Sequence, residues 1–411
     1  MGFLKIEEIA AKWGISARAV QILCKEGKIV GAERFGRAWM IPVDAERPVD
    51  RRTREGRAID DEVQQFPRKT PLLYMSDLYS MPGTADEAAL ALMSNHEAKL
   101  LFEAEISYAR GEFEKVYANA SYLLGKRSGF YAVISAGILL AQCAIWRGDI
   151  ELWRTAKMHI SEAPAKTDFD RDIMLFAICV VNIMLYNVTD FPEWFRLGCF
   201  EPLHKDALPA VRVFYAKYLY TAAYGVATGE FMVEGMEGLS LMRMLPSCIE
   251  PMVSQARVDS SLVSELCLRM NCAAIYHNAG DDEQAIRHLD RAIELALPDK
   301  LYGLLVEYAR LLDALLEQRV MLIDPQAAKE IKTLYRTYNE GWSRLSGSVR
   351  GKTIATTLST REREVAKLAA FGMSNAQIAE KLHMSVSVVK QTIRVTSEKT
   401  GMSRREFAKV L

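Results

Sequence analysis

The sequence predicts a mainly α-helical chain with a small helix-turn-helix unit at each end and a repetitive helical body between them. Three observations carry this. Apolar residues recur at helical spacing near both termini. Gly-turn signals recur through the middle at intervals near forty residues. Charge is unevenly shared: the 411 residues sum to zero, but residues 1–70 hold 14 basic against 11 acidic side chains and residues 344–411 hold 13 against 5. The stretch between them holds 25 against 36. Basic ends on an acidic body point to a polyanion at the ends.

At the C-terminal end, Ser359-Thr360-Arg361-Glu362 has the form of a capping box, which opens a helix by pairing backbone N–H groups with both side chains. Val365, Leu368 and Ala369 continue it, and Gly372 ends it. Ser374 or Asn375 can cap the next helix, with Ile378, Ala379 and Leu382 on one face. After the short break His383-Met384-Ser385, Ser385 caps a third helix with Val389, Ile393 and Thr396 inward. At about 100° per residue, Ser387, Lys390, Gln391 and Arg394 share the outer face. An α-helix fits the major groove. Lys and Arg suit phosphate or guanine there, and Gln suits adenine.

These residues resemble the LuxR/GerE-type helix-turn-helix family, through Leu358, Thr360 to Val365, Gly372, Ser374-Asn375, Ile378-Ala379, Leu382, Ser385, Val389-Lys390, Ile393 and Lys399. The resemblance implies a DNA-binding head which, with the flexible basic linker Gly347 to Thr353, spans 344–411, with Asn375, Ser385, Ser387, Lys390, Gln391 and Arg394 toward double-stranded DNA. Val388, Thr392, Thr396 and Thr400 depart from the usual pattern, and little chain follows Ser403. Gly347 to Thr353 has three residues between its glycines, where a phosphate loop needs four.

At the N-terminal end, Ile6, Ile9, Ala10 and Trp13 form a helical stripe that Gly14 stops. Ser16 caps a second helix with Val20, Leu23 and Cys24 inward. KIVGAERFGRAWMIP then alternates and reverses at Phe35-Gly36, a hairpin signal. Helix-turn-helix plus hairpin is a winged helix. Residues 3–48 resemble the excisionase/MerR-like winged-helix family. That likeness implies a DNA-binding domain over 1–48, with Ser16, Arg18, Gln21 and Lys25 toward a groove and Arg34 and Arg37 on the wing. Residues 49–86 read as a charged linker.

In the body, Gly111, Gly148, Thr189, Gly229 and Gly280 mark similar helix-turn signals. The clearest copy is CAAIYHNAGDDEQAIRHLDRAIELA, residues 272–296. Small residues let paired helices approach, and Gly-Asp turns the chain. This resembles a degenerate tetratricopeptide repeat over 87–343, which implies an open solenoid with a concave groove for a peptide, protein or small-molecule effector, or a scaffold for a homodimer.

The sequence offers no nucleophile motif and no H-E-x-x-H, so no enzyme activity, metal or cofactor is expected. His277 and His288 read as solvated helix ends. The seven cysteines lack a C-x-x-C pair and read as reduced, buried thiols. The apolar runs Phe130–Trp146 and Ile173–Tyr186 fall short of the roughly 20 residues of a span and read as buried helices. The expectation is a cytoplasmic, bacterial-type transcription regulator. An excisionase-like recombination or DNA-bending factor and a protein-interaction scaffold are the alternatives.

Overall fold

A computed structural model describes residues 3–25, 29, 31–36, 38–43, 45, 66–125, 128–188, 190–227, 238–350, 358–370, 372–400 and 403–409. The chain divides into two compact units, Met1–Gln65 and Phe66–Leu411.

In the first unit, β1 (Phe3–Leu4) precedes α1 (Ile6–Trp13) and α2 (Ala17–Lys25), and β2 (Glu33–Phe35) and β3 (Ala38–Pro42) follow. The strands pair antiparallel in the order β1-β3-β2, with Phe3 opposite Pro42 and Arg34 opposite Trp39. Gly14 takes the left-handed conformation (φ 65°) that ends α1. The Ala19 N–H then donates to Ser16 Oγ at 3.2 Å, the expected cap of α2. Ile9, Val20, Cys24, Ile29 and Ile41 close a core of their own.

The second unit is helical. Its body contains α3 (Ala85–Ala91), α4 (His96–Arg110), α5 (Phe113–Gly125), α6 (Phe130–Arg147), α7 (Ile150–Ser161), α8 (Asp168–Ile183), α9 (Glu193–Arg196), α10 (Leu208–Ala227) and α11 (Gly238–Val258). These are followed by α12 (Leu262–Ala279), α13 (Asp282–Ala296), α14 (Tyr302–Val306), α15 (Ala309–Leu312), α16 (Ala314–Ile323) and α17 (Pro325–Arg350). Consecutive helices pack in pairs, as α4 on α5, α6 on α7 and α12 on α13. Gly111, Gly148 and Gly280 sit at φ 85°, 64° and 88°, so the repeated Gly signal marks real left-handed helix ends. Asp149 and Asp281 cap the helices that follow by accepting from the N–H groups of Leu152 and Gln284. Thr189 and Gly229, the other two markers, lie outside the described residues.

The body departs from an open solenoid, in which each repeat touches only its neighbours. Helix α14 returns to α4, and α17 returns to α6 and α7. Two glycines permit this backbone-to-backbone approach. A Cβ at Gly303 would stand 2.5 Å from the Tyr108 carbonyl oxygen, and one at Gly341 would stand 2.3 Å from that of Trp146. The returning helix carries Trp342, which is 1% exposed, into the inner side, where its Nε1–H donates to the Met184 carbonyl at 2.9 Å. The expected concave groove is therefore filled, and the body shares one apolar core from Leu72 to Leu345.

Other expectations change as well. The linker drawn over 49–86 ends early: Leu72, Leu73, Tyr74 and Tyr79 are buried in the body. Buried Glu105 accepts from the backbone N–H groups of Leu73 and Tyr74 at 3.0 and 2.8 Å, which fixes that segment. Gly347 to Arg350 are the end of α17 rather than a linker, so the boundary at 343/344 falls inside a helix. Residues 351–357 lie outside the described residues. Helix α6 is long and apolar enough to cross a membrane by composition, but 78% of it is buried against its neighbours. Five cysteines are buried, whereas Cys199 and Cys248 are exposed.

Candidate nucleic-acid interface

The C-terminal domain is built from α18 (Thr360–Ala370), α19 (Asn375–Lys381) and α20 (Val386–Thr400), closed by a 3-10 turn at Arg404–Lys409. Ser359 and Glu362 form the expected capping box, with N···O distances of 2.7 and 3.2 Å. Ser374 and Gln377 form a second one on α19. The Val388 N–H donates to Ser385 Oγ at 3.3 Å, which starts α20 where the sequence placed it. His383, at φ 54°, makes the tight break between α19 and α20. Val365, Ile378 and Val389 form the centre of the small core.

This scaffold leaves Ser387, Lys390, Gln391 and Arg394 exposed on one side of α20, while Val389, Thr392 and Thr396 are buried on the other. Arg394 is tied only loosely, 3.8 Å from Glu398 on an exposed flank. Ser385 and Ser387 hold each other at 2.9 Å. Val386 and Val388 are both 41% exposed and add apolar surface to the same end. Asn375 stands apart from this group. It is half-buried and accepts from Arg404, which also binds the Met373 carbonyl, so it anchors the closing turn. Phe407 enters the core from that turn at 0% exposed. Arg404 and Phe407 thus complete the domain, a use that nothing in their local pattern announces.

A second cluster was not legible in the sequence. Lys399, at the end of α20, lies 2.5 Å from Glu362 in its own domain and 3.2 Å from Asp313 on the body. Asp313 is also 3.7 Å from His277 Nε2, and His277 Nδ1 is 2.6 Å from Asp282. Arg361 approaches Asp282 at 3.7 Å. His277 and His288 are buried rather than solvated; His288 faces Glu250 at 3.3 Å.

One ammonium therefore serves two carboxyl groups. Burial, then repulsion from Asp313, pushes the Glu362 carboxyl up to about 7 against the pull of Lys399. Burial would also raise Asp313, but Lys399 and His277 outweigh it and hold that carboxylate well below the usual range. The asymmetry is physical: Glu362 is fully buried, whereas Asp313 keeps some solvent and a second cationic neighbour. Lys399 is held above the usual lysine range because the two carboxylates outweigh its desolvation. Burial disfavours the charged form of His277, but the bonds to Asp282 and Asp313 outweigh it and raise its pKa.

In the N-terminal unit, Ser16, Arg18, Gln21 and Lys25 are exposed on or beside α2, and Ile22 joins them at 47% exposed. Arg34 is exposed on β2. Arg37 lies outside the described residues.

Residues 356–407 match the family described as bacterial regulatory proteins, luxR family (GerE). The match covers the three helices and the first part of the closing turn, and it marks this end of the chain as the DNA-binding domain of a transcription regulator. No curated protein and no solved structure matches the chain.

Proposed function

We propose that the protein is a sequence-specific transcription regulator that reads the major groove with α20. One observation carries this reading: within the luxR-type domain, Ser387, Lys390, Gln391 and Arg394 stand together in solvent while the opposite side of the helix closes the core. Lys390 and Arg394 neutralise phosphate or donate to guanine, and Gln391 offers a donor and an acceptor to adenine. Val386 and Val388 discriminate by contact with thymine methyl groups.

The N-terminal unit is a second DNA-binding head of winged-helix type in this reading. Its support is the exposed row Arg18, Gln21 and Lys25 on α2 and the exposed Arg34 on the hairpin. Two modest heads on one chain raise each other's effective concentration on a composite site. The body takes the effector or partner. A polar cleft of about 540 Å³ beside Arg68, Asp77, His204, Asp206, Arg212 and Asp259 has room for a small ligand, whereas the inner cavity beside Lys217 and Glu307, about 30 Å³, holds about one water. The protein works where the chromosome is, in the cytoplasm.

Genome-wide capture of DNA bound to the full chain tests this reading. Recovery of promoter regions sharing one motif supports it. Recovery of mobile-element ends favours a recombination factor, and absence of enriched sites favours an interaction scaffold.

A further inference from the structure

We infer that the polar cleft at the start of α10 binds a zwitterion, an α-amino acid or a short peptide, with its carboxylate at Arg212 and Lys205 and its ammonium at Asp206. The inference rests on the reading of the body as the effector domain and names the class of effector.

The cleft has fixed walls and carries opposite charge on its two sides. One wall is the segment 67–77, which brings the chain into the body. Its Met75 carbonyl accepts from the Ser261 and Ser264 hydroxyls at 2.6 and 3.2 Å. Arg68 forks onto Asp77 at 2.8 and 2.9 Å, and the Lys69 N–H donates to Asp206 Oδ2 at 2.9 Å. Asp206 adds to the field that Asp77 sets on Arg68. Two carboxylates against one guanidinium leave this side negative. The other wall is the start of α10 with Asp259, just past α11. Arg212, one turn into α10, donates from Nη1 to Asp259, whose other oxygen accepts from Gln255 at 2.8 Å. Lys205, in the turn that leads into α10, is exposed and pairs with nothing among the described residues. Two cations against one carboxylate leave this side positive, and the N-terminal end of the 20-residue α10 adds to it.

The bonding capacity left over selects the ligand. Arg212 keeps Nε and Nη2 unspent, Lys205 keeps its whole ammonium, and Asp206 keeps Oδ1. Arg212 and Asp206 are 20% and 18% exposed, so each is withdrawn far enough from water for an ion pair to count. A bare anion would satisfy Arg212 and Lys205 but meet Asp206 as a like charge. A bare cation would do the reverse. One molecule with a carboxylate and an ammonium answers both sides at once. The volume, about 540 Å³, lies within the roughly 300–1,000 Å³ of small-molecule sites and admits a dipeptide as well as a single amino acid. Because the walls are already held by the body's own hydrogen bonds, little ordering is left for the ligand to bring about.

Isothermal titration of the full chain with the common amino acids and a set of dipeptides, in pools and then singly, tests this without any DNA. At least one zwitterion should bind. Its N-acetyl and C-amide derivatives should bind at least about thirtyfold more weakly, since each leaves a charge of the cleft without its partner. Arg212→Gln should weaken the same ligand by about thirtyfold. Lys205→Gln, which removes an exposed ammonium that holds nothing in the fold, should weaken it about fivefold and answers for any misfolding of the first variant. Arg291→Gln, whose guanidinium pairs with Glu294 outside the cleft, should bind as the parent does. Bound ligand should slow hydrogen exchange over 67–77 and 205–212. Binding of the N-acetyl form, succinate or inorganic phosphate as tightly as the zwitterion, or in its place, would overturn the inference and leave an anion-binding effector cleft. Equal effects of Arg212→Gln, Lys205→Gln and Arg291→Gln would also overturn it. Failure of every probe to bind would remove the inference together with the effector reading of this cleft.

Discussion

Lys399 of the C-terminal domain reaches out of its own fold to Asp313 of the body at 3.2 Å while keeping Glu362 at 2.5 Å. It is 13% exposed, and Glu362 is 0% exposed. A buried charge that loses its partner costs far more than the pair contributes. Lys399→Ala strands Glu362 and half of Asp313's partners. Thermal and denaturant unfolding should show the C-terminal domain destabilised by roughly 3–5 kcal/mol. A loss below about 1 kcal/mol, the range of surface pairs, would place this cluster in solvent.

Thr396 is fully buried in the same domain, and its hydroxyl has no hydrogen-bond partner. Thr396→Val keeps the shape and removes the polar atom. Stability of the domain should rise by about 1 kcal/mol, the cost of an unsatisfied buried group. A fall in stability would mean the hydroxyl is satisfied.

The cluster also predicts a direction with pH. His277 faces Asp282 from α13, Asp313 from the body and Arg361 from α18, with its pKa raised in the folded protein. Its contribution is whole below the ordinary histidine value near 6.5 and is lost as pH rises through the raised one. Glu362, at about 7 against an ordinary 4.5, keeps a proton that the unfolded chain has given up, so its effect has the same sign over that interval. Asp282 and Asp313 are depressed, and their contributions fail only in acid. Melting temperature should fall from about pH 6 to about pH 8, and His277→Gln should remove part of the fall. A rise over that interval, or a slope indifferent to His277, would contradict the assignment.

Gly341 tests how the body closes. A Cβ there would meet the carbonyl oxygens of Trp146 and Ile145 at 2.3 and 2.4 Å, so α17 must lift from α6. Gly341→Ala should cost about 1–3 kcal/mol by chemical denaturation, whereas Gly347→Ala, with open space around it, should not destabilise.

Much of the C-terminal site was legible because its signals are local. Capping residues, the Gly stop and the period of Val389, Thr396 and their partners all lie within one turn of what they specify. The antiparallel pairing of β2 with β3 after α2 followed from alternation around Phe35-Gly36 in the same way. What could not be read was everything set by distant chain. Gly341 in a run of polar residues carries no sign that it faces Trp146, nearly two hundred positions earlier. Asp313 looks like any helix-start aspartate, and its left-handed backbone and its reach to Lys399 arise only when the body is closed. Nothing in the sequence near Asn375 announces that Arg404, twenty-nine positions on, donates to its side chain.

The most direct measurement of the central claim is a footprint of the full chain on its own upstream DNA, taken across a salt series with the Lys390→Ala, Arg394→Ala variant beside it. The account predicts a protected major-groove window that weakens with the variant, and a salt slope shallower by about two units. An identical footprint and slope for both proteins, or no protection at low ionic strength, would contradict the placement of α20 in DNA.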